Sequence, residues 1–226
     1  MNSDNYLFIG DIAGQYDALL RLLKKCPDYL PISVGDMIDR GPDSKKVLEF
    51  FMKNGKALLG NHEHMMLDYR KYKTYSHGVW AEWNGGAKTL ENFKDPTSSS
   101  KFLDDVLIPE EITDWVSSLP LYMEIDGAFI SHAPKNPYIT LEQCCELVKA
   151  SFNGGYRSQD PDCSIIWNRT DPDPLPNKFQ IFGHNGYHYF ITDEEKKDFA
   201  VCIDASRQGK LLAMVWPTKE IISEDI

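Results

Sequence analysis

The sequence predicts an α/β protein in which two mixed β-sheets stack face to face with helices on the outside. Three observations predict it. The first third repeats one unit: a short apolar run, a glycine with a polar residue, then a helical stretch. The last third is rich in short strands separated by Gly and Asn turns. The chain has 226 residues, 42% hydrophobic and 26% charged, which suits one globular domain with a sizeable core. We therefore expect a single domain over residues 1–226, with a helical cap-like insertion at about 70–115.

Tyr6-Leu7-Phe8-Ile9 reads as a strand and leads into Gly10-Asp11-Ile12-Ala13-Gly14. Tyr16 to Leu23 carries apolar residues at helical spacing, Lys24 and Lys25 suit a helix C-terminus, and Cys26-Pro27-Asp28 ends it. Leu30 to Val34 is a second strand, ending in Gly35-Asp36-Met37-Ile38-Asp39-Arg40-Gly41. Val47, Leu48, Phe50, Phe51 and Met52 mark a second amphipathic helix, closed by Asn54-Gly55. Ala57-Leu58-Leu59 reads as a third, buried strand, followed by Gly60-Asn61-His62-Glu63 and a helix starting near Met65. Two successive crossover helices predict parallel neighbouring strands.

Tyr69, Tyr72, Tyr75, Trp80 and Trp83 then lie among polar residues, as in a small helical cap over the sheet or a rim touching substrate. Residues 94–100 read as a surface loop and Ile112 to Leu119 as a helix. Leu121 to Ile125, Asp126-Gly127 and Ala128 to Ile130 make a hairpin that delivers Ser131-His132-Ala133-Pro134. A helix from Leu141 to about Phe152 follows, then loops at Asn153-Gly154-Gly155 and Asp171-Pro172-Asp173-Pro174. Phe179 to Phe182 ends in Gly183-His184-Asn185. Tyr187–Thr192, Phe199–Asp204 and Leu211–Trp216 complete a second set of strands, and the tail after Trp216 is the least constrained part.

A net charge of −10 and a pI near 5.0 argue against an extended nucleic-acid surface, which needs a basic stripe. They leave room for a small phosphorylated ligand met locally by metals and arginines. Cys26, Cys144, Cys145, Cys163 and Cys202 form no C-x-x-C and read as ordinary free thiols. The N-terminus lacks a signal-peptide pattern, and no apolar run approaches the ~20 residues of a membrane span, so the cytoplasm is the expected compartment and no membrane partner is expected.

The strand ends, spaced about 25 residues apart, bring oxygen and imidazole donors to one sheet edge, where open α/β sheets bind ligands. Phosphoester hydrolysis needs a strong nucleophile, neutralised phosphoryl oxygens and a proton for the leaving group. A pair of metals can supply the first two, and it needs a bridging carboxylate and mixed oxygen and nitrogen ligands. Asp36 is the candidate bridge; Asn61, His132 and His184 complete one metal site, and Asp11 with Asp36 holds the other. His64 and His77 are each read as ordinary histidines.

With GDIAG, GDMIDRG, GNHE, SHAP and the late Gly-His in view, the chain resembles the calcineurin-like metallophosphoesterases. Within them it is similar to the phosphoprotein phosphatases, in particular the bacterial and phage serine/threonine type. That resemblance implies the same two-sheet architecture and the same five metal ligands. It implies that His62 is the general acid, that Asp39 pairs with it, and that Arg40 and Arg169 bind phosphate. It implies two divalent metals, Mn²⁺ first, with iron or zinc as alternatives.

Two motifs depart from the family pattern: Pro134 replaces a glycine, and Ala13 stands where the family has a metal-binding histidine. The second change removes a ligand from the Asp11 site and should lower its metal affinity. It fits either a deliberate substitution or natural divergence. The expected activity is a metal-dependent phosphatase acting on phosphoserine, phosphothreonine or phosphotyrosine in proteins, weakened by Ala13. The alternatives are a pseudophosphatase that binds phosphorylated partners, and a dinucleoside polyphosphate hydrolase or nucleic-acid end phosphatase.

Overall fold

The computed structural model describes residues 5–72, 79–97, 102–154 and 161–226. Two mixed sheets stack against each other. In the first, β1 (Tyr6–Ile9), β2 (Leu30–Ser33) and β3 (Lys56–Ala57) run parallel, with Tyr6 opposite Leu30 and Ile32 opposite Lys56. They are linked by α1 (Tyr16–Lys25) and α2 (Ser44–Asn54), the crossovers that parallel neighbours require. Leu7 and Ile9 share a buried cluster with Leu19, Leu22, Val47, Leu48 and Phe51 of these helices. Phe8 and Ile32 enter a second core with Ile130, Ile181, Val201 and Met214, between the sheets. A strand covered on both faces reads as a continuous apolar run, and each such side chain contributes ~1.5–3 kcal/mol by leaving water.

The second sheet has the order β4 (Tyr122–Ile125), β5 (Ala128–Ser131), β6 (Phe179–Phe182), β8 (Asp198–Cys202), β7 (Tyr189–Thr192). β4 and β5 form the predicted hairpin. Asp126 and Gly127 have φ of 44° and 83°, so both turn residues are left-handed, as a tight Asp-Gly hairpin requires. β5 and β6 are parallel, so the residues after them, His132 and His184, emerge at the same sheet edge.

Several expectations change. The Leu211–Trp216 strand, β10 (Lys210–Trp216), belongs to the first sheet, antiparallel to β1. The tail after Trp216 is ordered as β11 (Glu220–Asp225), and its Glu224 bonds Arg21 and Lys25 of α1. The Phe199–Asp204 run divides. β8 ends at Cys202, and β9 (Asp204–Ala205) pairs with β10, so the chain passes from one sheet to the other at Ile203. Alternation reports that a strand exists, not which neighbour it takes.

Only Lys56–Ala57 of the third strand pairs; Leu58 and Leu59 stay buried, with Leu59 N–H donating to Pro120. α3 (Asn61–Tyr72) begins at Asn61, not near Met65. Between residues 70 and 115 lie a π-helical turn (Val79–Trp83), α4 (Gly86–Phe93), a 3-10 turn (Leu103–Asp105) and the start of α5 (Glu110–Ser117). Tyr75, His77 and residues 98–100 lie outside the described residues, as does Gly155. α6 (Leu141–Gly154) runs through the position expected for a loop. No helix among the described residues is long and apolar enough to cross a membrane.

Candidate metal centre

The site begins as backbone. Ile12 and Ala13 N–H groups both donate to the Asp36 carbonyl at 3.0 and 2.9 Å, and Gly41 N–H donates to Ala13 at 2.9 Å. The Glu63 carboxylate ties the next two strand ends together, accepting from Asp36 (2.8 Å), Met37 (2.7 Å) and Gly60 (3.1 Å). The sequence reading missed this role: Glu63 stood there only as the last letter of a motif. Burial, with the Asp36 charge beside it, raises its pKa to about 8. A side chain on Gly35 or Gly60 would collide with the other's backbone or with Asp36.

Ala13, Asp36, Asp39, Arg40 and His184 all have φ between 49° and 75°. Left-handed conformations at non-glycine residues cost ~1–3 kcal/mol each and cluster at functional sites. Here the shared hydrogen bonds hold them.

Four predicted ligands converge. Asn61 Oδ1 lies 2.8 Å from His132 Nε2 and 2.9 Å from His184 Nδ1, and Asp36 Oδ1 is 3.4 Å from His132 Nε2. One ligand atom from each of Asp36, His132 and His184 lies within 4.8 Å of the others. The second nitrogen of each ring faces a carbonyl: His132 Nδ1 donates to Val34 (3.1 Å) and His184 Nε2 to Trp167 (3.2 Å). Backbone acceptors of this kind fix the tautomer of metal-binding histidines. Burial holds both histidines below their ordinary pKa, and for His184 the charges of His132 and Arg169 add to it. Two neutral imidazoles thus turn lone pairs toward an amide oxygen and a carboxylate. A set of acceptors with no donor between them fits a cation.

Asp11 stands apart from that tight group. It accepts from the His184 backbone N–H at 3.1 Å, and its pKa is raised well above the carboxylate range by burial and by the charges of Asp204 and Asp36. The neighbouring Ala13 carries no donor atom.

The predicted acid lies in a separate group. His62 Nδ1 donates to Asp39 Oδ2 at 2.5 Å. Asp39 is fully buried and also accepts from Trp80 Nε1 (2.7 Å) and Thr89 Oγ1 (2.6 Å). Both partners come from the 70–115 region, and no spacing in the sequence pointed to them. Trp80 is buried beneath the site, whereas Trp83 is exposed. Burial would depress the His62 pKa, but Asp36 and Asp39 outweigh it and raise it to about 9. Arg40 Nη2 lies 3.3 Å from His62 Nε2. With Nδ1 committed to Asp39 and the ring protonated, two donors face each other across that gap, as an anion site requires. Arg169 is exposed and donates to the His184 carbonyl at 3.3 Å, so it borders the acceptor group. His64 is buried elsewhere, bonded to Ser151 at 2.7 Å, and joins neither group.

Fold and site together place residues that could hold a metal at one sheet edge. The family comparison agrees, because residues 5–199 match the calcineurin-like phosphoesterase family model, and the chain belongs to that family. Its members are metal-dependent phosphoester hydrolases that use two metals. A curated relative, the symmetrical bis(5'-nucleosyl)-tetraphosphatase of Shewanella sp. (strain W3-18-1), is 31% identical over 148 residues, covering 61% of this chain and 47% of that protein. The chain spans about half the length of the curated relatives it matches. Among solved structures, a metallophosphoesterase from Sphaerobacter thermophilus superposes with TM-score 0.61 at 15% identity, covering 100% of this chain and 89% of the other. A cold-active protein-tyrosine phosphatase of a Shewanella species gives 0.59 at 19%, covering 98% and 78%. At these identities the two structures speak for the fold alone.

Proposed function

We propose that this chain hydrolyses phosphoesters or phosphoanhydrides with His62 as the general acid and a metal pair at the sheet edge. The observation that carries the reading is the juxtaposition of an acceptor-only group (Asp36, Asn61, His132, His184) with a donor-only pair (His62, Arg40). Asp36, Asn61, His132 and His184 would hold one metal, and Asp11 with Asp36 the other. When bound, the metals supply an activated water and neutralise phosphoryl charge.

The chain's own residues do the rest. Arg40 and Arg169 orient the phosphoryl oxygens through their planar guanidinium groups. Asp39 fixes the His62 ring so that its free proton sits on Nε2, on the side facing Arg40. His62 then gives that proton to the leaving oxygen. Mn²⁺ is the metal we propose. We also propose that residues 70–115 act as a cap whose Trp80 and Thr89 set the acid.

For the substrate, the curated relatives favour a dinucleoside polyphosphate, cut symmetrically, over the phosphorylated protein that the motifs alone suggest. The phosphoprotein stays as the second reading because GDMIDRG and GNHE are complete. The deciding experiment incubates the chain and Mn²⁺ with diadenosine tetraphosphate, a phosphoserine/phosphothreonine peptide set and an aryl phosphate. ADP as the sole nucleotide product supports the first reading, and phosphate release from peptide alone supports the second. Saturable peptide binding without turnover of any substrate makes the chain a pseudophosphatase.

A further inference from the structure

In this chain of net charge −10, arginines away from the site find carboxylates: Arg21 pairs with Glu224 at 2.9 Å and Arg70 with Glu110 at 3.1 Å. Arg40, Arg169 and Arg207 make no ion pair among the described residues. The first two have a role in the reading above, and the third has none. Arg207 lies in the 3-10 turn Ser206–Gln208 that follows β9. Its backbone N–H donates to the Gly186 carbonyl at 3.2 Å, and its side chain crosses the open face of Gly186. A Cβ at Gly186 would fall 2.7 Å from Arg207 Cδ and 2.9 Å from Nε, so only glycine leaves room for that stem. The φ of 82° at Gly186 favours glycine as well. Asp204 clips the same two pieces together: its Oδ1 accepts from Ser206 N–H at 2.9 Å and its Oδ2 from Gly186 N–H. The guanidinium lies over the Tyr187 ring, 5.7 Å from its centroid, within cation–π range, and both side chains are exposed. Gly186 is two residues past His184, so their Cα atoms are at most ~7 Å apart. Arg169 donates to the His184 carbonyl at 3.3 Å. Two guanidinium groups without carboxylate partners are thus anchored on one short loop, the inner at a metal ligand and the outer a step beyond.

We propose that Arg207, laid over Tyr187, is a specificity residue that binds the phosphates beyond the one being cut and so favours a phosphate chain over a phosphomonoester. This rests on the dinucleoside polyphosphate reading above and deepens it. A phosphomonoester carries its phosphate charge at the scissile group alone, where Arg40 and Arg169 meet it. A polyphosphate carries further charge along its chain, one step outward, on the side of the loop that Arg207 covers. The planar fork of a guanidinium suits phosphate oxygens. The Tyr187 ring and the Gly186 face hold that fork in place before substrate arrives, so little side-chain freedom is lost on binding.

The test compares the wild-type chain with Arg207→Met and Arg207→Lys, each with Mn²⁺. Methionine keeps an unbranched stem over Gly186 without the charge, and lysine keeps the charge without the fork. Kinetics on diadenosine tetraphosphate and on an aryl phosphate give the ratio of their kcat/KM values. Arg207→Met should lower that ratio about 10-fold, the low end for a hydrogen bond to a charged group, mainly through KM, with Arg207→Lys in between. A merely structural role slows both substrates together, and a ratio at its wild-type value overturns the inference. Should Arg207→Met not fold, an unchanged ratio in Arg207→Lys does the same. Calorimetry reads binding alone, with a diadenosine tetraphosphate analogue that has methylene in place of the central bridging oxygen. Its affinity should fall about 10-fold in Arg207→Met. Equal affinity in both proteins, or none in the wild type, overturns the inference. If the wild type cuts no substrate yet binds the analogue through Arg207, the hydrolase reading fails and the inference stands. If it cuts aryl phosphate and does not bind the analogue, the inference fails and the phosphoesterase reading stands.

Discussion

The two halves of the candidate metal centre are built differently. On the Asn61 side, donors from four chain segments converge within hydrogen-bond distance, and each imidazole is aimed by a backbone carbonyl. On the Asp11 side that convergence is missing: Asp11 is buried, and an alanine stands where a further donor is expected. The first half has its ligand atoms in place and the second is short of one. A site whose ligands are already in place binds strongly, and one that lacks a ligand binds less. The chain should therefore bind two metals with unequal strength.

The largest effect should come from His62→Asn, which leaves both halves intact and removes the proposed acid. The rate should fall ~10²–10⁴-fold, with Mn²⁺ stoichiometry unchanged by calorimetry. A loss of metal with the rate would tie the acid to the metal sites and break the separation drawn here. Next is His132→Ala, which strikes the Asn61 half alone. Its affinity loss at the tighter site should exceed the ~10–100-fold typical of losing an outer partner. Equal weakening of both sites would mean that the halves are not independent. Ala13→His sharpens the comparison from the other side. It should strengthen the weaker site ~10–100-fold and leave the tighter one unchanged. If metal content and rate both stay flat, the ligand assignment around Asp11 is wrong.

His62 also gives a pH signature in the metal-free chain. The His62 pKa is raised in the folded state from 6.5 to about 9. Its contribution to stability is thus fully present below pH 6.5 and lost as pH rises through about 9. By linkage that shift corresponds to about 3 kcal/mol. Melts in chelator from pH 6 to 9.5 should show wild type losing more stability than His62→Asn, and parallel curves would refute it. The smallest expected effect is that of Trp80→Phe, which removes one of three donors to Asp39 and should cost about 1–3 kcal/mol of stability. The His62 titration should also move, because the Asp39 oxygen that it pairs with is less restrained.

By itself the sequence determined the strand-end motifs and most of the donors. Short apolar runs ending in Gly-Asp, Gly-Asn or Gly-His are local patterns, and a parallel sheet with crossover helices brings such ends to one edge. It also determined the Asp-Gly hairpin, because only a left-handed pair of residues closes that turn. Tertiary structure alone decided the rest. Nothing in its alternation assigned β10 to the first sheet or ordered the tail as β11, since strand neighbours are chosen by long-range packing. Nothing placed Trp80 and Thr89 under Asp39. Those contacts join residues 41 and 50 positions apart, and a side chain's electrostatic partners are set by where the chain returns, not by what stands beside it in order.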